Sequence, residues 1–160
     1  MKCGLCCNGV IFADVKLQAH DSAQRLRELG LALTNSGRHE LKFAQPCVAF
    51  ENCRCRIYGE RPRYCREFEC ILLKNVIGGR VSYEAALRII QNAKEKVETI
   101  LGLLRALGDR DEQVALAARF RKMTKKFESE PLEEETADLY GRLTLAVHDL
   151  NCLLSEAFYR

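Results

Sequence analysis

Residues 46–70 read PCVAFENCRCRIYGERPRYCREFEC and carry five cysteines in 25 positions. The stretch contains few apolar side chains, so it can scarcely form a core without help. A bound metal would supply that help, because ligation free energy becomes folding free energy in small metal modules. Three more cysteines lie upstream, at Cys3, Cys6 and Cys7. We therefore expect thiolates from both ends of the first seventy residues to meet around metal.

The number and setting of the cysteines favour metal over disulfides. The chain has nine cysteines, an odd number, and Cys3 comes before any signal-peptide apolar region could fit. No apolar run approaches the roughly 18 residues that cross a bilayer. We expect a soluble, cytoplasmic protein with no membrane contact. In a reducing compartment such cysteine patterns are more often metal-binding or catalytic than disulfide-bonded.

The adjacent pair Cys6 and Cys7 bears on the number of metal atoms. Neighbouring residues of an extended chain point their side chains to opposite sides. Both thiols can therefore bind the same ion only if the backbone adopts an unusual conformation. Two ions or a polynuclear cluster would accommodate both, and we therefore expect more than one metal atom. The alternative is one ligand and one buried thiol. Thiolates at these spacings suit zinc and iron–sulfur clusters alike.

The carboxyl half has the periodicity of amphipathic helices. Apolar residues recur at i, i+3, i+4 and i+7 from Leu87 to Leu107, with Ser82 as the expected N-cap and Gly108 as the stop. A second helix is expected over about 111–127. A third is expected from Pro131 to about residue 158, with glutamates in its first turn. These segments predict a helical hairpin or a three-helix bundle over 81–160.

The amino half has short apolar runs separated by turn-forming residues. The runs at 10–12 and 15–17 suggest a short strand, residues 41–43 a second short extended piece, and residues 21–29 a helix of about two turns. The predicted fold class is mainly α with minor irregular β. In this interpretation residues 1–80 form a cysteine-rich metal-binding module that packs on the helical half as one compact unit.

The cysteine motifs resemble a known family. Cys3-Gly4-Leu5-Cys6-Cys7 is followed by Cys47, by Cys55-Arg56-Ile57-Tyr58 and by Arg61-Pro62-Arg63-Tyr64-Cys65-Arg66-Glu67-Phe68-Glu69-Cys70. This combination resembles the CxxCxxCC family of zinc- or iron-chelating domains, which is related to the cysteine cluster of flagellin lysine N-methylases. The likeness covers roughly residues 3–75.

The resemblance implies a set of metal ligands. These are Cys3, Cys6, Cys7, Cys47, Cys55, Cys65 and Cys70. The first cysteine of the family pattern would fall before Met1, so seven matched thiols remain. Cys53 is extra to the pattern and is a possible additional ligand in place of the missing one.

Side chains near the downstream cysteines suggest supporting roles. A four-thiolate centre carries net negative charge, and guanidinium groups would offset it, a role that we expect for Arg61 and Arg66. Tyr58, Tyr64 and Phe68 are expected to form the module's own core, which makes nucleic acid an unlikely partner. His20 and His39 could complete a mixed site, although neither lies close in sequence to a cysteine. His148 and Cys152 share a helix face, where we expect a buried thiol.

Three functions remain open at this stage. The first is a metal-binding protein that chelates zinc or an iron–sulfur cluster, with the helical half as scaffold and possible protein-partner surface. The second is an enzyme resembling protein lysine N-methylases that uses the metal centre. The third is a protein-interaction module that zinc stabilises. The sequence shows no catalytic motif for the second, so enzymatic activity is left undecided.

Overall fold

The computed structural model describes residues 3–35, 37, 40–129, 131 and 133–159. The elements in this part of the chain are β1 (Asp14–Lys16), α1 (Ala23–Glu28), β2 (Leu33–Asn35), β3 (Leu41–Ala44), β4 (Phe50–Glu51), β5 (Arg54–Cys55), a 3-10 turn (Tyr58–Glu60), α2 (Arg63–Glu67), α3 (Ile71–Ile77), α4 (Tyr83–Ala106), α5 (Leu116–Glu128) and α6 (Glu134–Ala157). The fold is mainly α with short antiparallel strands, which confirms the predicted fold class.

The chain divides into two compact units. The first unit consists of Met1–Phe68 with Asp111–Arg119, and the second of Glu69–Arg110 with Phe120–Arg160. The predicted division into 1–80 and 81–160 stays a prediction. Within the described residues, no helix has both the length and the apolar character required to cross a membrane.

Two small antiparallel sheets organise the first unit. In one sheet β3 is central, and Phe43 lies opposite Val15 of β1 and Leu33 of β2. In the other, the β4–β5 hairpin pairs Phe50 with Cys55. The buried core beneath them consists of Val15, Leu26, Leu31, Phe43, Ala49 and Ile57. This small core is what positions the cysteines.

Two predicted strands have different outcomes in this unit. The strand expected at 41–43 is confirmed as β3, and the run at 15–17 contributes to β1. The other part of that predicted strand, 10–12, is wrong, because the chain bends at residues 10–11 and the Ile11 N–H donates to the carbonyl of Leu5 at 3.0 Å. This local hydrogen bond replaces the ladder that a strand would need.

Helices α4 and α6 pack against each other in the second unit. The buried side chains of α4 include Ala93, Ile100 and Leu104, and those of α6 include Leu143 and Leu150. Their 3.6-residue repeat places each set along one stripe of its helix, so both helices can bury a continuous apolar face. The predicted helices of the carboxyl half are therefore present, and their arrangement as a hairpin or a three-helix bundle stays a prediction.

Both ends of α4 lie where the capping residues predict, whereas α5 and α6 begin later than predicted. The Ser82 side chain accepts from the Ala85 N–H at 3.2 Å, and Gly108 has a φ of 88°, so both predicted ends of α4 are confirmed. Helix α5 begins at Leu116 instead of about residue 111, because the Leu116 N–H donates to the Gly9 carbonyl of the first unit at 3.0 Å. Helix α6 begins at Glu134, three residues after Pro131.

Ser82→Ala is expected to lower the free energy of unfolding by about 1 kcal/mol. The variant leaves one N–H of the first turn of α4 without its side-chain acceptor. Urea unfolding followed by circular dichroism measures the change. Ser82→Asp keeps an acceptor oxygen at the same position and should restore most of the loss. Equal stability of Ser82→Ala and the parent protein would show that this cap contributes nothing.

Candidate metal centre

Cys7 and Cys47 are neighbours through the backbone. The N–H of Cys47 donates to the carbonyl of Cys7 at 2.8 Å, although 40 positions separate the two residues in the sequence. The amino-terminal loop therefore lies beside the segment around Cys47, the first cysteine of residues 46–70. Both side chains are partly buried.

The amino-terminal loop is held in place by a tight turn at Gly4. Gly4 has a φ of 82°, and its carbonyl accepts from the N–H groups of Cys7 at 2.9 Å and Asn8 at 3.0 Å. The Phe50 ring lies directly against the Gly4 Cα, where a Cβ would collide with the ring atom Cζ and reach Cε2 at 3.0 Å. Only glycine combines this dihedral with this close approach.

The β4–β5 hairpin positions Cys55. Its two turn residues, Asn52 and Cys53, have φ values of 49° and 58°, the left-handed values that a tight two-residue hairpin requires. Cys55 pairs with Phe50, whose N–H donates to the Cys47 carbonyl at 2.9 Å. The hairpin thus ties Cys47, Phe50 and Cys55 into one local structure.

Helix α2 carries Cys65. The backbone N–H of Arg63 donates to Asp21 Oδ1 at 2.8 Å, which fixes the start of this five-residue helix. The rings of Tyr64 and Phe68 on either side of Cys65 make edge contacts with Phe12, with ring centroids 5.7 and 4.7 Å from that of Phe12. Such aromatic pairs stabilise the fold beyond what the burial of their apolar surface contributes. Cys65 is therefore anchored on both sides.

The thiols of four separated segments lie within electrostatic reach of one another. Burial raises the pKa of Cys7 from 9.0 to about 11, and the neighbouring thiols of Cys47 and Cys55 add to the rise. Burial likewise raises the pKa of Cys65 to about 12, with further contributions from Cys7, Cys47 and Cys55. Cys47, Cys55 and Cys65 also pack against the edge of the buried core.

The pKa of the Cys47 thiol responds to burial and to two neighbouring backbone amides. Burial is the largest influence on this thiol and raises its pKa, while the N–H groups of Ala49 and Phe50 act in the opposite direction. Amide groups that donate to sulfur stabilise the thiolate, which is the form that binds metal. The sequence alone gave no sign of these two amides, because backbone donors leave no mark in residue spacing.

Arg61 contacts the cluster from one side. Its Nη1 donates to the Cys65 carbonyl at 3.2 Å and its Nε to the Tyr58 carbonyl at 3.0 Å, while its guanidinium carbon lies 3.7 Å from the Tyr58 ring centroid. Its positive charge lowers the pKa of both Cys7 and Cys65, against the larger effect of burial. The group is thus placed to offset negative charge that develops on the thiols.

The donors fit a soft metal. Four thiolates suit tetrahedral zinc or an iron–sulfur centre. None of the nine cysteines, all of which lie in the described residues, forms a disulfide, so every thiol is chemically able to act as a ligand. Across those same residues, no three Cys, His, Asp or Glu side chains already stand close enough to hold an ion.

The remaining predicted residues have more varied positions. Cys3 lies close enough to Cys7 to raise its pKa slightly, and Cys6 is partly buried in the same loop. Cys70 is the N-cap residue of α3 in the second unit. Cys53 and Arg66 are exposed. Their assignment as ligands or supporting residues stays a prediction.

Two predictions about neighbouring side chains are wrong and one lies outside the described residues. Tyr58 and Tyr64 are 55% and 38% exposed instead of forming core, and the Arg61 guanidinium lies over the Tyr58 ring. Cys152 is exposed instead of buried, because it lies on the side of α6 away from the core. His20 is exposed, and His39 is not among the described residues.

The fold is mainly α, and thiols from four separate segments lie near one another in its first unit. The chain belongs to the CxxCxxCC family, whose description is "Putative zinc- or iron-chelating domain" and whose family model matches residues 1–97. No curated protein and no solved structure matches the chain.

Proposed function

We propose that the first unit chelates zinc or iron through a four-thiolate centre of Cys7, Cys47, Cys55 and Cys65. The observation that carries this proposal is that Cys47, Cys55 and Cys65 pack against the same small core, while the Cys47 N–H donates to the Cys7 carbonyl at 2.8 Å. Four thiolates saturate a tetrahedral ion, and the family description supports metal as the ligand.

Cys3 and Cys6 extend the proposed centre. Both belong to the loop that brings Cys7 to the cluster, and Cys3 lies within electrostatic range of Cys7. Thiols beyond the first four allow a second metal atom that shares a bridging thiolate, which agrees with the expectation of more than one metal atom. Arg61 would offset part of the charge of such a centre, since a four-thiolate zinc site carries about two negative charges.

Metal content and colour test the proposal and separate the two metals. Protein purified without oxygen and containing zinc by elemental analysis, with no visible absorption, would be a zinc protein. A brown protein that absorbs near 400 nm and contains iron and acid-labile sulfide would hold an iron–sulfur cluster. Protein that binds neither metal after anaerobic reconstitution would refute the proposal.

Metal affinity is expected to rise steeply with pH between 6 and 8. The raised pKa values of Cys7, Cys47 and Cys65 mean that these thiols are protonated in the metal-free protein at neutral pH. Each must lose its proton to bind, so binding releases at least three protons from these thiols and acid competes with metal. The dissociation constant for zinc should therefore fall by about 1000-fold per pH unit, as measured by competition with a chelator of known affinity. An affinity independent of pH would show that these thiols are not the ligands.

A further inference from the structure

Helix α6 has a continuous exposed stripe on the side away from its core. Its buried residues Leu143, Leu150 and Leu154 face the second unit's interior. At about 100° per residue, the residues of the opposite stripe fall within an arc of about 80°. These residues are Gly141, Leu145, His148, Cys152 and Ser155, all of them exposed.

Two of these residues form a pair of soft-metal donors. His148 Nε2 and Cys152 Sγ lie 3.6 Å apart across one helical turn. In a tetrahedral zinc site, with Zn–S of about 2.3 Å and Zn–N of about 2.0–2.1 Å, the sulfur and nitrogen atoms are also about 3.6 Å apart. The two side chains therefore already span one edge of such a tetrahedron, with no rearrangement of the helix.

We propose that His148 and Cys152 form half of a surface zinc site, which a second copy of this chain completes with the same two residues. One chain supplies two of the four ligands, and a two-fold axis through the ion supplies the other two. Imidazole nitrogen and thiolate sulfur suit zinc, whereas calcium and magnesium prefer oxygen ligands. This site is separate from the thiol cluster of the first unit.

The rest of the stripe suits a second helix of the same kind. Leu145 is 67% exposed one turn before His148, so contact with a partner would remove apolar surface from water. Gly141 and Ser155 are small, and among the described residues outside its own helical turn no atom lies within 4 Å of where a Gly141 Cβ would be. Small residues at both ends of the stripe let the two helix backbones approach closely.

The experiment is a zinc titration of the full chain, kept reduced with a phosphine, with mass measured by sedimentation velocity. We expect the mass to rise from 18.2 kDa to about twice that value and to return when a chelator removes the zinc. His148→Ala and Cys152→Ser should each remain monomeric, with about half an equivalent less zinc per chain than the parent. Cys53→Ser, which alters an exposed thiol of the first unit, should still dimerise.

Three results would overturn the proposal. The first is a chain that stays monomeric at saturating zinc, and the second is a dimer that persists in His148→Ala or after zinc removal. The third is a dimer that forms only when the phosphine is omitted, which would be a Cys152 disulfide. Leu145→Lys provides a variant of the stripe that keeps both ligands, and it should weaken zinc-dependent dimerisation at least 10-fold. Loss of metal from the first unit leaves this readout unchanged, so the two proposals fail independently.

Discussion

Cys65→Ser is expected to remove metal from the first unit and to unfold it. A serine hydroxyl is a poor ligand for a soft metal, and structural zinc contributes about 10–16 kcal/mol to the folding of small zinc modules. The first unit has only a small buried core, and Cys65 packs at its edge beside Cys47 and Cys55. Elemental analysis should show the loss of metal, and amide resonances of residues 3–68 should lose their dispersion.

Cys55→Ser and Cys53→Ser make a matched pair for this prediction. The two residues are two positions apart in the same hairpin, but Cys55 packs against the core whereas Cys53 is exposed at the turn. We expect Cys55→Ser to behave like Cys65→Ser and Cys53→Ser to keep its metal and fold. Full metal stoichiometry in Cys65→Ser and Cys55→Ser would mean that the ligands are misassigned. Loss of metal in Cys53→Ser would instead make Cys53 a ligand.

The helices were predictable where the local sequence alone decides them. Helix α4 begins at Ser82 and ends before Gly108 as expected, because a side-chain cap and a left-handed glycine act within one turn of the helix. Helix α5 begins late because the residues before it belong to the first unit, where the Leu116 N–H finds its acceptor at Gly9. A hydrogen bond between residues more than 100 positions apart cannot be predicted from the periodicity of the sequence around either residue.

The site was predictable in its residue types but not in its arrangement. Spacing pointed to the cysteines as ligands, yet it could not say which thiols lie together. The Cys47 N–H that reaches the Cys7 carbonyl depends on the Gly4 turn and on the Phe50 ring beneath it. These are backbone and packing features, so they leave no metal-ligand pattern in the sequence. The exposure of Cys152 was likewise missed, because a free cysteine is more commonly buried.

Gly4→Ala is expected to weaken metal binding at least 10-fold without altering any ligand. The added methyl group would meet the Phe50 ring, and an alanine at a φ of 82° costs about 1–2 kcal/mol in backbone strain. Phe50 is tied to Cys47 and Cys55 by the hairpin, so relief comes from moving the loop that carries Cys7. A 10-fold loss of affinity corresponds to about 1.4 kcal/mol. Chelator competition measures it directly.

The Gly30→Ala variant introduces backbone strain at a positive φ without a collision like the one between a Cβ at position 4 and the Phe50 ring. Gly30 lies in the same unit with a φ of 92°, and no atom of the residues that the structure describes, its chain neighbours aside, lies within 4 Å of where its Cβ would be. It should therefore lose stability through strain alone while metal affinity stays within about 3-fold of the parent, since Gly30 lies outside the segments that carry the four thiols. Replacing Phe50 by leucine in the Gly4→Ala background removes the ring and should recover part of the affinity. If Gly4→Ala and Gly30→Ala bind metal equally well, the contact between Gly4 and Phe50 does not position Cys7.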